Sequence, residues 1–135
     1  MRKVEALGVT AIVGCFLMGC SVKKSASSEQ LAQLERTRPR CSGDVECRVM
    51  WSRARNWLLS NSSFAIRTAT DDLLETFAGR PGDTGLYARI TKDAQPDGSS
   101  TFDVKVGCYN VLMCSRDLNE AKQSFNDAVN GVKPD

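Results

Sequence analysis

Two identical cysteine intervals, Cys41-x5-Cys47 and Cys108-x5-Cys114, narrow the folds open to this 135-residue chain, while Cys15 and Cys20 stand apart near its start. Zinc sites favour C-x2-C or C-x4-C knuckles, often with histidine, and the chain contains no histidine at all. No metal is therefore expected. Four cysteines allow three disulfide pairings. Local bridges close loops of about 7 residues, for roughly 2.4 kcal/mol each, and crossed bridges close loops near 68 residues, for roughly 4.4. Energy favours crossing, but two matched intervals read more simply as two local staples, and Cys41–Cys47 with Cys108–Cys114 is the expected pairing.

The apolar run from Ala6 to Met18 follows Arg2 and Lys3 and precedes the polar stretch Ser21-Val22-Lys23-Lys24-Ser25. A basic start and a short apolar segment ahead of a small residue read as a secretory signal. At about 13 residues the run falls short of the roughly 20 that span a bilayer as a helix. It ends in Leu17-Met18-Gly19-Cys20. This tetrapeptide resembles the lipobox of bacterial lipoproteins, and over residues 1–21 the resemblance implies cleavage by signal peptidase II and a diacylglycerol on the Cys20 thiol. Ile12-Val13-Gly14-Cys15 is a second acceptable box. Cutting there would leave Phe16-Leu17-Met18 exposed and Cys20 as an odd thiol, so parity and hydrophobicity both favour Cys20. Ser21 is not the aspartate that commonly retains Gram-negative lipoproteins in the inner membrane, so the resemblance implies an outer-membrane anchor facing the periplasm. Disulfides form and persist in that compartment. The domain that follows is similar in general look to uncharacterised small proteobacterial lipoproteins, and this likeness implies no activity.

Loss of residues 1–19 removes Arg2, Lys3 and Glu5 and leaves 16 basic against 15 acidic residues. A balanced chain gives no global reason to meet nucleic acid or an acidic substrate. Residues 20–40 read as a lipidated cysteine and a flexible tether, polar and serine-rich, with a frayed helical turn through Glu29–Arg36 at most. Residues 41–135 read as one small domain with a modest core.

Within that domain Cys47, Met50, Trp51, Ala54, Trp57 and Leu58 fall in an arc of about 120° at helical spacing. Ser42 or Asp44 is placed to cap this helix, and Asp44 and Glu46 suit its positive end. Phe64–Thr70 alternates with period two as a strand. Leu73–Ala78 is ambiguous, since Asp72-x-x-Glu75 and Gly79 also suit a short helix; Thr76 and Phe77 favour a second strand. Leu86–Lys92 and Thr101–Cys108 are the clearest strands, joined by Asp93–Ser100 as a hairpin loop. A last helix starts near Asp117 and carries Leu118, Ala121, Phe125, Ala128, Val129 and Val132 on one arc. The expected fold is α+β, a disulfide-braced two-layer sandwich of order α-β-β-β-β-α, with two helices on one face of a four-stranded antiparallel sheet.

Chemistry is sparse. Asp71-Asp72 with Glu75 is the one close carboxylate group, and adjacent aspartates in a turn are usually solvated turn formers. Serines lack both a histidine and a G-x-S-x-G elbow. The six arginines Arg36, Arg38, Arg40, Arg48, Arg53 and Arg55 read as a solvated flank or, on an anchored protein, as a contact for anionic headgroups. Tyr109-Asn110-Val111-Leu112-Met113 is the candidate binding loop, an apolar stretch enclosed by Cys108 and Cys114. It either presents a preorganised surface or tucks beneath the final helix to complete the core. The expected protein is a non-enzymatic envelope lipoprotein with no cofactor, held at the membrane by its lipid and meeting a protein partner, not nucleic acid. A periplasmic enzyme or small-ligand carrier is the alternative; it would use the open sheet face through Tyr87, Arg89, Thr91, Asp103 and Lys105. An inhibitor or immunity lipoprotein would use the same rigid loop as the first reading.

Overall fold

The computed structural model describes residues 26–133. Cys20 and the leader lie outside the described residues. Eight elements follow in chain order: α1 (Ser28–Arg36), β1 (Arg40–Ser42), α2 (Asp44–Asn61), β2 (Ile66–Ala69), β3 (Leu73–Thr76), β4 (Tyr87–Ala94), β5 (Ser99–Gly107) and α3 (Leu118–Asn130). The strands form one antiparallel sheet in the order β1-β5-β4-β3-β2. The α+β class and the antiparallel sheet are as expected, whereas the four-stranded count and the α-β-β-β-β-α order are corrected to five strands and three helices.

Strands β4 and β5 form the longest hairpin. Their alternation puts Ala88, Ile90 and Phe102 in the core, alongside Leu74 from β3 and Leu86 just before β4. The turn is tighter than the expected Asp93–Ser100 loop, because Ala94 already pairs with Ser100. Gly98 at φ 83° closes it, and the Asp97 carboxylate accepts from both the amide (3.0 Å) and the hydroxyl (2.6 Å) of Ser99.

Helix α2 buries Met50, Ala54, Trp57 and Leu58, and α3 buries Ala121, Phe125, Asn126 and Val129. The two helices meet through Trp57 and Phe125, edge to face at 5.3 Å between centroids. Trp51, at the rim of the α2 arc, tilts against Phe102 and receives the Lys92 ammonium 5.3 Å from its centroid. Such a cation–π contact covers the exposed side of an aromatic ring.

The α2 cap differs from expectation. Gly43, at φ 78°, occupies the N-cap and makes no side-chain hydrogen bond, while the Glu46 carboxylate accepts from the Ser42 amide at 2.6 Å. Beside this cap lies the Cys41–Cys47 bridge, with Cα atoms 5.1 Å apart. It joins the end of β1 to the first turn of α2, so the chain reverses within two residues, through a backbone conformation open mainly to glycine. Helix α3 starts at Asp117 as expected, and the Asp117 side chain caps it by accepting from the amides of Asn119 (2.8 Å) and Glu120 (3.0 Å).

The third helix comes from the stretch read as tether, where only a frayed turn over Glu29–Arg36 was expected, and the fifth strand from its junction with the domain. Ser27 and Gln30 form a reciprocal capping box that starts α1. Its attachment to α3 is polar. Asn126 donates to the Leu34 carbonyl (2.9 Å) and the Thr37 hydroxyl (3.0 Å), and Asn130 donates to the Thr37 carbonyl (2.8 Å). No residue of α1 is buried. Beyond it Pro39 is fully buried, and β1 pairs Arg40 with Thr101 and Cys41 with Ser100.

Candidate functional site

Strand β5 ends at Gly107, whose bare Cα lets the Tyr87 ring lie against it from the opposite strand. Cys108 is then buried and bonded to Cys114, with Cα atoms 5.8 Å apart. Between them the chain folds as a tight turn. The Met113 amide donates to the Asn110 carbonyl (3.1 Å), and the Leu112 amide donates to the Asn110 side chain (3.3 Å). Two further backbone bonds fasten the loop to the connection between β3 and β4: Asn110 donates to the Asp83 carbonyl at 3.1 Å, and Ser115 to the Thr84 carbonyl at 2.9 Å. The backbone is thus clamped by a covalent bridge and by hydrogen bonds at both ends.

Its side chains nonetheless face solvent. Tyr109 is 54% exposed, Val111 64%, Leu112 76% and Met113 67%. The alternative that Val111, Leu112 and Met113 complete the core is excluded by this exposure. The clamped loop presents four outward side chains, one aromatic, two aliphatic and one thioether. What it can do is bury area: each such side chain contributes about 1.5–3 kcal/mol when fully covered.

The open sheet face is the second place where the structure gathers side chains. Arg89, Thr91, Asp103 and Lys105 line one depression of about 700 Å³, joined by Arg38 and Asp93, whereas Tyr87 lines a neighbouring one. Arg38, from the turn after α1, bonds Asp103 and lies 3.2 Å from Glu35. Partial burial works against its charge, but the hydrogen bond and charge of Asp103 outweigh this and hold its pKa above the ordinary value. Arg67 was not among the residues expected on this face. It stands at a register shift in β2, and its guanidinium donates to Glu75 at 2.6 Å. The strict alternation of Phe64–Thr70 was the signal that could have found it.

The carboxylate group Asp71, Asp72 and Glu75 is divided. Asp71 and Asp72 lie exposed in the turn between β2 and β3, where Asp72 accepts from the Thr70 hydroxyl at 2.6 Å. Glu75 points to the sheet face and is paired there by Arg67 and Arg89. Among the described residues no group of three potential ligands is placed to hold a metal ion. The six-arginine flank disperses: Arg38 joins the sheet face, Arg40 pairs with Asp97, and Arg53 donates to the Val129 carbonyl at 3.3 Å. Compared with known proteins, the chain matches no protein-family model, no curated protein and no solved structure.

Proposed function

We propose that this chain is a non-catalytic, lipid-anchored envelope lipoprotein that binds a protein partner in the periplasm through Tyr109–Met113. The observation that carries the reading is a loop clamped at both ends that still exposes Tyr109, Val111, Leu112 and Met113. Rigid presentation of aromatic, aliphatic and thioether side chains lowers the ordering cost of association, and methionine adapts to an irregular partner surface. Attachment through Cys20 to the outer membrane rests on the lipobox resemblance. Among the described residues no helix is long and apolar enough to cross a membrane.

Placement of α1 adds a geometric condition. Gln30 and Gln33 lie with Asn119 and Glu120, while Thr37 reaches Asn126 and Asn130, so α1 and α3 run side by side in the same direction. Ser27 therefore lies toward the start of α3, the end from which the loop emerges. Six residues, Ser21–Ala26, separate it from Cys20, and even fully extended they reach about 25 Å. An anchor at Cys20 keeps the loop near the bilayer, and the partner is met there.

The test is a photoreactive side chain at Leu112 of the full-length protein in intact cells, with a second at Lys105 as control. A discrete protein adduct from Leu112 alone is the expected result. Adducts to lipid without protein would overturn this reading in favour of a loop seated on the bilayer. Retention of a Cys20→Ser protein in the membrane fraction would remove the anchor.

A further inference from the structure

Arg89 on β4 and Lys105 on β5 are register partners, directly opposite each other on the wet face of the sheet. Like charges in that relation destabilise a ladder. The carboxylate facing Arg89 is Glu75, its register partner on β3. Glu75 is already taken: it accepts from Arg67 at 2.6 Å and lies 3.5 Å from Arg89. Arg67 and Arg89 therefore share one acid, and Lys105 forms no ion pair among the described residues. The other acids of the face have partners of their own, Asp103 in Arg38 and Asp93 in the Thr91 hydroxyl at 3.2 Å.

Two depressions, of about 700 and 330 Å³, both include Arg89 and Lys105 in their walls. We propose that an oxyanion, the carboxylate or phosphate of a small organic ligand, binds between Arg89 and Lys105 on the open sheet face. The Arg89 fork holds two oxygens, and Lys105 supplies a point charge from the other strand. Thr91 stands at the next outward position of β4, its hydroxyl already donating to Asp93. On the other side, Tyr87, flattened against Gly107, offers an apolar wall for the body of the ligand. The larger depression is walled by three bases, Arg38, Arg89 and Lys105, and two acids, Asp93 and Asp103, which leaves one positive charge in excess.

The probes are glucose 6-phosphate, glucuronate and uncharged glucose, each titrated calorimetrically into the full-length protein at constant ionic strength. Saturable binding of either anion, with none of glucose, is expected, and the anion preferred tells phosphate from carboxylate. Arg89→Gln and Lys105→Gln should each weaken the dissociation constant about tenfold or more, since a hydrogen bond to a charged group is at stake. Both side chains are exposed, so neither variant threatens the fold. Absence of saturation by both anions, or a dissociation constant unchanged in either variant, would overturn the site. Leu112→Asp should leave the anion titration unchanged, so this site and the loop fail independently.

Discussion

Glu75 shows how much a single side chain on the sheet face is asked to do. Its carboxyl is held below the ordinary carboxylate range, foremost by the Arg67 hydrogen bond, against partial burial, with the charges of Arg67 and Arg89 adding to the effect. A depressed folded-state pKa contributes stability that is present above the unfolded value, near 4.3, and is lost as pH falls through the folded value. Glu75→Gln should therefore melt below the parent protein at neutral pH. That gap should close as the pH is taken down below about 4, where the parent also loses its charge. Thermal unfolding of both proteins from neutral to strongly acid pH checks this, and a gap independent of pH would mean that the ion pair contributes nothing. Asn126 plays the corresponding part in the helical layer. Its amide is nearly buried and serves Leu34 and Thr37 together. Asn126→Ala removes both bonds and leaves a carbonyl unpaired, for a loss of about 1–3 kcal/mol. Hydrogen exchange should show the loss concentrated at Leu34–Thr37 rather than spread over α3.

Among the elements, those with an apolar period were legible and those held by polar contacts were not. Helix α2 and strands β4 and β5 bury the residues that the 3.6 and 2.0 periods pick out, from Met50 and Leu58 to Ile90 and Phe102. Leu73–Thr76, suited to either state by its own residues, is a strand because Leu74 and Thr76 turn inward between β2 and β4. Strand β1 is three residues long and follows proline, too short for a period to register. Helix α1 was legible only as a frayed turn, for a different reason: what fixes it is the amide stripe Gln123, Asn126 and Asn130, at i, i+3 and i+7 on α3, and such a stripe reads as solvated surface. The candidate loop was legible as a stretch but not in its exposure, since no period exists within seven residues. The Arg89–Lys105 pairing needed the hairpin register, which shifted with the turn. At this scale Lys105→Glu replaces a like-charge pair by an opposite one and should stabilise the protein by about 0.2–1 kcal/mol. In urea unfolding the midpoint should rise, while the anion titration should lose all saturation; a fall in midpoint would show that the two cations do not oppose each other.

Across the whole molecule, the two identical cysteine intervals serve opposite ends. Cys41–Cys47 lies at the edge of the core, with Cys41 1% exposed, and fastens β1 and α2 to each other. Cys108–Cys114 starts from a buried cysteine but closes a loop whose apolar side chains all point away from the protein. By loop length alone each is worth roughly 2.4 kcal/mol, so this term does not distinguish them. Paired Cys108→Ser and Cys114→Ser changes should lower unfolding free energy by up to about 2.4 kcal/mol and release the loop from its fixed shape. Leu112→Asp, at a side chain 76% exposed, should stay within about 0.5 kcal/mol of the parent protein. If the loop is a preorganised interface, both variants lose the protein adduct in cells, one by losing rigidity and the other by losing the apolar contact. Urea midpoints read beside crosslinking yield separate the two effects. Loss of the adduct only in the destabilised double variant would make the loop a structural brace, and loss in the stable Leu112→Asp protein identifies the surface that the partner covers.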